Sequence, residues 1–410
     1  MLGVQLSGHA ASWGADSQVM KATEPWETQT QTSGGVPYNC DYAQTFPEGK
    51  GFLPAGLPYP TGRSKVPLWF SCDWPQGPKA VGYAAVFEGT VTFDEERSIF
   101  RMFYTCGRPA ENAADLAQGL CHAESTDGRQ WTKRFVGTGE NANTNRVVRE
   151  AFDSAIVWQD HTQPRGSARR WVMSSVPKDN GFQHCRLRVS ADGYTWTVAV
   201  NASGPIQDAT SIFYNPFRRK WIYSLKQGFT SQPGTLQYRA RAYVEVDDLL
   251  KGANSWTHMY SGPNGTYAWA SADLNDPPWP YNSSLPAQLY NMNCAAYESL
   301  MICMFAIFRG FVDPEGTTDG TRTSGEHNEV YLGFSRDGFH FWRQYDGTPR
   351  EGGITPRKPF MTQTWPQHSW RYSDIQGAGG VLTLLNDTLN FYSAGSSGGP
   401  YGRSHCAILP

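Results

Sequence analysis

Three carboxylates stand at the same place in successive stretches of this chain, each directly before a run of apolar and β-branched residues. They are Glu88, Asp153 and Asp208. Carboxylates that converge repel one another, which raises the pKa of one and leaves that of another low. Such a set can protonate a leaving oxygen and activate water or attack directly, as glycosidic bond cleavage requires. An isolated acid before a strand more often caps a turn, but three in equivalent positions favour the catalytic interpretation.

The elements that must position these acids are marked by a recurring turn. The motif Ser-x-Asp-Gly-x-x-aromatic occurs at 125–131, 190–196 and 335–341. Asp-Gly between apolar alternating runs is typical of a tight turn between strands, since Gly accepts a positive φ and Asp caps its own turn. Units that begin near residues 88, 153, 208, 291 and 376 each contain short strand-like runs. The repeat predicts an all-β fold, a five-bladed β-propeller with four-stranded antiparallel blades around a central axis. A stack of sandwiches is the alternative.

The repeats run through most of the chain, without a linker-like stretch between them. We therefore expect one propeller domain over residues 66–410. Residues 1–65 are rich in Gly, Pro, Thr and Gln. They are expected to form an irregular N-terminal arm that packs on the propeller.

Further candidate substrate-binding residues follow from this architecture. In a propeller the innermost strands begin around one end of the axis, so the three acids are expected to meet there. Asn291 and Gln376 take that position in the fourth and fifth units, and they can bind hydroxyl groups without exchanging protons. Arg239 and Arg241 alternate along a predicted strand, where they either hold a carboxylate or uronate or form a solvated face. The remaining candidates are an alternative first-blade acid, an aromatic platform beside it and an acid in a predicted outer turn: Asp73, Trp74 and Glu298.

Bulk properties argue against several partners. The net charge is −2 and the basic residues are scattered, so no nucleic-acid footprint is visible. The sequence has no run of 18 apolar residues long enough to span a membrane. The stretch Glu326-His327-Asn328-Glu329 lacks a partner cluster, so neither a metal nor a cofactor is expected. The expected partner is a carbohydrate substrate.

Cysteines and glycosylation motifs bear on the compartment. The N-terminus lacks the basic start and apolar core of a secretory signal. Eight cysteines leave room for disulfides, and Cys106 and Cys121 either face each other across adjacent strands or stay reduced and buried. Acceptors of the form Asn-x-Ser/Thr occur at Asn201, Asn264, Asn282 and Asn386. On balance we expect an extracellular or secretory-pathway protein.

The acids before the predicted inner strands and the Ser-x-Asp-Gly turns resemble those of the five-bladed propeller glycoside hydrolases. The segments DATSIFYNPFRRKWIYS, YESLMICMFAIFRG and NEVYLGFSRDGFHFWR are similar to uncharacterised bacterial family-32-like proteins, and the resemblance covers roughly residues 68–395. It implies a nucleophile or base at Glu88, a residue that orients substrate at Asp153 and a proton donor at Asp208. The family order is Asp, Asp, Glu, which this chain departs from. The characteristic family-32 strings are absent, so fructan specificity is not implied.

The expected function is therefore a glycoside hydrolase that uses paired carboxylates at the propeller axis, exo-acting on an oligo- or polysaccharide. A glycoside phosphorylase or transglycosylase on the same scaffold is one alternative. It needs a basic phosphate site near the acids, for which Arg239, Arg241 and Arg309 are candidates. A non-catalytic carbohydrate-binding propeller is the other alternative.

Overall fold

The structure is a computed structural model. It describes residues 83–107, 119–128, 132, 134–142, 144–179, 184–230, 237–259, 263–278, 286–310, 326–345, 347, 355–362, 373–380, 383–385 and 388–396. The predicted arm at 1–65 and two candidate site residues, Asp73 and Trp74, lie outside this part of the chain.

Four antiparallel sheets of four strands follow one another along the chain, and we number them as blades one to four. In each blade the strands are paired in chain order, from the innermost to the outermost. Blade one contains β1 (Tyr83–Asp94), β2 (Ile99–Gly107), β3 (Gly119–Ser125) and β4 (Arg146–Arg149). Blade two contains β5 (Phe152–Gln159), β6 (Trp171–Pro177), β7 (Arg186–Ser190) and β8 (Thr197–Val200). Blade three contains β9 (Ser211–Asn215), β10 (Lys220–Thr230), β11 (Gln237–Val246) and β12 (Tyr267–Ala270). Blade four contains β13 (Gln288–Tyr297), β14 (Leu300–Gly310), β15 (Glu326–Ser335) and β16 (Trp342–Arg343).

The first strands of successive blades surround a common axis. Strand β1 contacts β5, β5 contacts β9 and β9 contacts β13. This arrangement confirms the predicted all-β propeller. Because each blade runs up and down, its first strand begins at one end of the axis, which we call the mouth. The turn after the first strand and the Asp-Gly turn after the third lie at the opposite end, which we call the base.

The predicted number of five blades is wrong, since the described residues form four four-stranded blades. The segment expected to form the fifth makes two short ladders instead: β17 (Ser373–Gly377) with β20 (Ser393–Ser396), and β18 (Thr383–Leu385) with β19 (Thr388–Asn390). The physical reason is the short spacing in the sequence. Only Asn386 and Asp387 separate the run 381–385 from the next strand-like residues, so β18 and β19 have three residues each and pair with each other as a hairpin.

This segment nevertheless closes the ring between blades four and one. The backbone N–H of Gly379 donates to the carbonyl of Gly89 in β1 at 2.6 Å, and the N–H of Val91 donates back to the Gly379 carbonyl at 3.3 Å. On the other side, the Asn293 side chain of β13 donates to the Gly377 carbonyl at 2.9 Å. The residues after β16 thus bridge the last blade to the first.

The three Asp-Gly motifs share one local geometry. In each, the Ser hydroxyl oxygen accepts a hydrogen bond of 2.8 Å from the glycine N–H. The glycines at 128, 193 and 338 have φ values of 71°, 76° and 74°, a left-handed conformation that glycine adopts without strain. The motif therefore confirms a glycine-dependent turn after the third strand.

Each of these turns is also bound by a side chain from the preceding unit. Arg101 of blade one donates to the Asp192 carbonyl in blade two at 2.7 Å. Asn215 of blade three donates to the Asp337 carbonyl in blade four at 2.7 Å. Tyr392 of the closing segment donates to the Gly128 carbonyl in blade one at 3.0 Å. In blade three, which lacks the motif, Asp248 at the same place pairs with Arg169 of blade two at 3.1 Å. Polar contacts at the base therefore link neighbouring blades around the ring.

Apolar packing and disulfides complete the blades. Buried side chains form clusters between blades one and two, two and three, and three and four, with Trp171 and Trp256 among the largest fully buried. The disulfide Cys106–Cys121 joins β2 and β3, which confirms the predicted pairing. A second disulfide, which the sequence interpretation missed, joins Cys294 and Cys303, directly opposite each other on β13 and β14.

Helical structure is limited, in the described residues, to two short 3₁₀ turns at Gly139–Asn141 and Lys251–Asn254. No helix in this part of the chain is long and apolar enough to cross a membrane.

The contact between blades one and two gives a stability prediction. A Cβ added at Gly193 would lie 2.7 Å from an Arg101 guanidinium nitrogen, whereas Gly166 has a similar φ of 75° and nothing within 4 Å. We expect Gly193→Ala to lower the free energy of unfolding by at least about 1 kcal/mol more than Gly166→Ala, because only the former also displaces Arg101. Urea denaturation of both variants measures the difference. Equal losses would contradict an inter-blade role for this turn.

Candidate active site

Two of the three predicted acids meet at the mouth. Asp153 is the second residue of β5, and the pairing of β5 with β6 is interrupted between Phe152 and Ala155. A bulge of this kind redirects a side chain relative to the rest of its strand. Asp208 lies three residues before β9. The backbone N–H of Ala209 donates to an Asp153 carboxylate oxygen at 3.4 Å, which joins the two inner-strand entries.

The environment of Asp153 favours its protonated form. Burial of the carboxyl raises its pKa, and the nearby charge of Asp208 raises it further. The hydrogen bond from Ala209 and the charges of Lys178 and Lys226 act in the opposite direction but do not cancel the increase. Asp153 therefore holds a proton to a higher pH than an ordinary aspartic acid does.

Asp208 is held by a cation. The ammonium of Lys226, on β10, forms an ion pair and hydrogen bond with the Asp208 carboxylate. The Lys226 side chain is 9% exposed, whereas that of Asp208 is 31% exposed. Lys226 thus holds the Asp208 carboxylate in place, and the carboxylate remains partly exposed at the mouth.

The backbone next to Asp208 is strained. Ala209 is fully buried and has a φ of 52°, in the left-handed region that costs a non-glycine residue about 1–3 kcal/mol. Arg241 of β11 stabilises this turn by donating to the Ala209 carbonyl at 2.7 Å and to the Tyr290 carbonyl at 3.1 Å. Its Nη2 also donates to the Ser224 carbonyl at 2.6 Å.

Arg241 was a candidate for direct substrate contact, but the structure buries it completely. It holds the Asp208–Ala209 turn and does not line the mouth. We therefore describe Arg241 as a positioning residue. Strained backbone that its surroundings stabilise often occurs at functional sites, and the Ala209 turn is consistent with such a site.

The polar residues of the fourth and fifth units lie further along their strands than Asp153, which is second in β5. Asn291 is the fourth residue of β13 and Gln376 is the fourth residue of β17. Asn291 follows a bulge at Tyr290, and its side-chain Oδ1 accepts a hydrogen bond of 2.6 Å from the Met292 N–H. The Asn291 amide nitrogen is buried and has no partner among the described residues. Gln376 is fully buried, so neither residue occupies the position of Asp153.

Arg239 lies beside a cleft between blades three and four. Its backbone N–H and Nη1 donate to the Gln288 side-chain oxygen at 3.1 and 3.2 Å. Its guanidinium lies over the rings of Phe308 and Tyr290, at 4.3 and 5.2 Å from their centres. The cleft has a volume of about 570 Å³ and opens at the same end as the acids. Unlike Arg241, Arg239 is only half-buried.

The other candidates stand apart from this pair. Glu298 is exposed in the β13–β14 turn at the base, so it does not join the acids at the mouth. Glu88 lies in β1, within an interruption of the pairing between Ala85 and Thr90 that parallels the one at Asp153. The structure does not describe the Glu88 side chain, and it does not describe Asp73 or Trp74.

Sequence reasoning missed Lys226, Tyr290 and Glu150. Lys226 was detectable as a lone cation after the apolar run 221–225 in a predicted strand. The Tyr290 ring lies 4.8 Å from the Lys226 ammonium, but no sequence signal indicated this. Glu150 is a further carboxylate at the mouth, where it pairs with Arg186 and with Arg188 at 2.9 Å. Because Glu150 has two arginine partners, its role is structural.

The known proteins with similar structures are remote from this chain in sequence. No protein-family profile and no curated protein matches this sequence. A glycoside hydrolase candidate from Parabacteroides distasonis aligns over 79% of this chain and 86% of its own, with 10% identity and a TM-score of 0.49. A fructofuranosidase from Schwanniomyces occidentalis in complex with fructose aligns over 75% of this chain and 50% of its own, with 12% identity and a TM-score of 0.43.

A protein of the GH130 family, which contains mannoside phosphorylases and β-1,2-mannoside hydrolases, aligns over 79% of this chain and 82% of its own. The identity is 10% and the TM-score is 0.45. At these identities, the roles of individual residues have to come from the geometry of this chain.

The raised pKa of Asp153 predicts a pH-dependent stability. The folded protein binds this proton more tightly than the unfolded chain, so the stabilisation is complete below about pH 4 and is lost as the pH rises through the folded-state pKa. We expect Asp153→Asn to remove that decline in the free energy of unfolding. Urea denaturation between about pH 4 and pH 8 measures it. The control is Asp247→Asn, whose side chain is 85% exposed, and it should keep the wild-type slope. An unchanged slope in Asp153→Asn would contradict the raised pKa.

Proposed function

We propose that this protein is a glycoside hydrolase in which Asp153 and Asp208 form the acid/base pair at the mouth of the propeller. The observation that carries the proposal is the pairing of a half-buried carboxyl of raised pKa with a second, accessible carboxylate held by Lys226. Glycosidic bond cleavage needs one carboxyl group that donates a proton and a second that attacks or activates water.

In this proposal Asp153 is the general acid and protonates the leaving glycosidic oxygen. Asp208 is the carboxylate that attacks the anomeric carbon or activates water. The family resemblance implied the opposite assignment, with the donor at Asp208. The reversal is supported by the ion pair of Asp208 with Lys226 and by the burial of Asp153. Glu88 remains a predicted third acid, from its place in β1. Exo-action on an oligo- or polysaccharide is likewise a proposal, and analysis of the first products released tests it.

The phosphorylase alternative receives less support from the arginines. Arg241 donates to backbone carbonyls beneath the Asp208 turn. Arg309 is buried and pairs with Glu329 at 2.7 Å. Of the three predicted phosphate ligands, this leaves Arg239 facing a cleft, and a single arginine is a weak phosphate site.

We also propose that the protein functions outside the cytosol. The two disulfides, Cys106–Cys121 and Cys294–Cys303, support this location, because disulfides persist in oxidising compartments. Fractionation of the source cells, with an antibody against the chain, tests it.

The division of roles predicts opposite responses to the leaving group. Asp153→Asn should lower kcat/KM on alkyl glycosides or oligosaccharides by about 10²–10⁴-fold, since their leaving groups need a proton. On dinitrophenyl glycosides, which leave without one, the loss should be below about 10-fold. Asp208→Asn should abolish turnover of both classes, and Asp247→Asn should change neither.

Kinetics on a panel of aryl and alkyl glycosides measures these ratios. Equal losses on both classes in Asp153→Asn would contradict its role as the acid. If the wild-type protein binds sugars but cleaves none of the panel, the non-catalytic carbohydrate-binding alternative replaces the hydrolase.

A further inference from the structure

A guanidinium, that of Arg239, lies at the cleft between blades three and four. The cleft is also lined by Tyr238 and Trp269, together with small residues at the end of β12 and before β13. We propose that this cleft binds the carboxylate of a uronate unit adjacent to the bond cleaved at Asp153 and Asp208. The inference rests on the proposed function and names its substrate class, a uronate-containing oligo- or polysaccharide.

The first support is the state of Arg239. No carboxylate among the described residues forms an ion pair with it, and Gln288 supplies a neutral oxygen at 3.2 Å. Two arginines of the neighbouring blade four do have acidic partners: Arg309 pairs with Glu329 at 2.7 Å and Arg343 with Asp276 at 2.8 Å. A guanidinium has five N–H donors, so the Gln288 contact orients the group and leaves donors for a ligand.

The second support is the shape of the cleft. Ala268 and Ala270 of β12, with Ala272 and Ala287 beyond it, keep side chains short around the volume of about 570 Å³. Trp269 is half-buried between blades three and four, where its Nε1 donates to the Phe339 carbonyl at 2.8 Å. Its ring centre lies 5.1 Å from that of Tyr243 and 5.9 Å from that of Phe341. The alanines therefore leave room for a sugar ring, and Arg239 supplies a charge for its carboxylate.

The third support is the connection between cleft and acids. The Tyr290 ring lies 4.8 Å from the Lys226 ammonium and 5.2 Å from the Arg239 guanidinium carbon. Lys226 in turn pairs with Asp208. A ligand that crosses Tyr290 therefore reaches both the acid pair and Arg239. Because Lys226 is already paired with Asp208, Arg239 supplies the charge that attracts an anionic chain.

Inorganic phosphate can bind a guanidinium as a uronate carboxylate does, so the test compares these two ligands. Binding is measured by calorimetry on the Asp153→Asn protein, in which turnover of oligosaccharides is expected to be about 10²–10⁴-fold slower than in the wild type. The probes are uronate disaccharides, each beside its neutral methyl ester, and inorganic phosphate. We expect at least one uronate to bind at least about 10-fold more tightly than its ester, the loss of one charge-assisted contact. Adding Arg239→Gln should remove that preference.

The matched control is Arg336→Gln, an exposed arginine in the Asp-Gly turn at the base, which should leave the preference intact. Uronates that bind no more tightly than their esters, or a preference that survives Arg239→Gln, would overturn the inference. Phosphate that competes at Arg239 and is required for wild-type turnover would also overturn it, in favour of phosphorolysis. Arg239-dependent uronate binding in a protein that cleaves no glycoside would instead keep the subsite and reject only the hydrolase.

Discussion

The ring depends on a side chain from each unit binding the turn at the end of the next unit's third strand. Arg101, Arg169, Asn215 and Tyr392 make these contacts around the base. Three of the four turns contain a left-handed glycine, which lets the donor approach the backbone closely. A hydrogen bond from a neutral or charged donor contributes about 0.5–3 kcal/mol, and each one also fixes the orientation of one blade relative to its neighbour. That orientation determines where the first strand of each blade begins at the mouth.

The arrangement of residues at the mouth follows from the orientation of the blades. Each inner strand can bring one residue to the axis, and bulges at Asp153 and Tyr290 together with the left-handed Ala209 redirect the chain there. The resulting set of charges is layered. Asp153 and Asp208 lie together, Lys226 holds Asp208 from below, and Arg241 holds the strained turn beneath them. Because Asp153 and Asp208 belong to neighbouring blades, the packing of blades two and three brings Asp208 close enough to raise the pKa of Asp153.

Local patterns in the sequence predicted the type of fold and part of the candidate site. Alternating runs and the Asp-Gly turns predicted the propeller, and the placement of Asp153 and Asp208 before inner strands predicted their proximity. The different roles of the two arginines on β11 depend on burial, which local sequence patterns do not show. Arg239 and Arg241 share one strand face, but only Arg239 reaches a cleft, because Arg241 is covered by the strained turn at Ala209. Only Asn386 and Asp387 separate the two strand-like runs after Gln376, so these runs form a short hairpin and not a full blade. Long-range contacts such as Lys226 with Asp208 leave no trace in local spacing.

The central claim is that Asp153 carries a raised pKa because it is buried next to Asp208. A direct titration of the Asp153 carboxyl carbon by NMR, in the wild type and in Asp208→Asn, tests it. The account predicts a wild-type pKa above the ordinary aspartate range that moves part of the way back when Asp208 is neutralised, with the contribution of burial retained. A carboxyl that titrates in the ordinary range, and does so identically in both proteins, would contradict it.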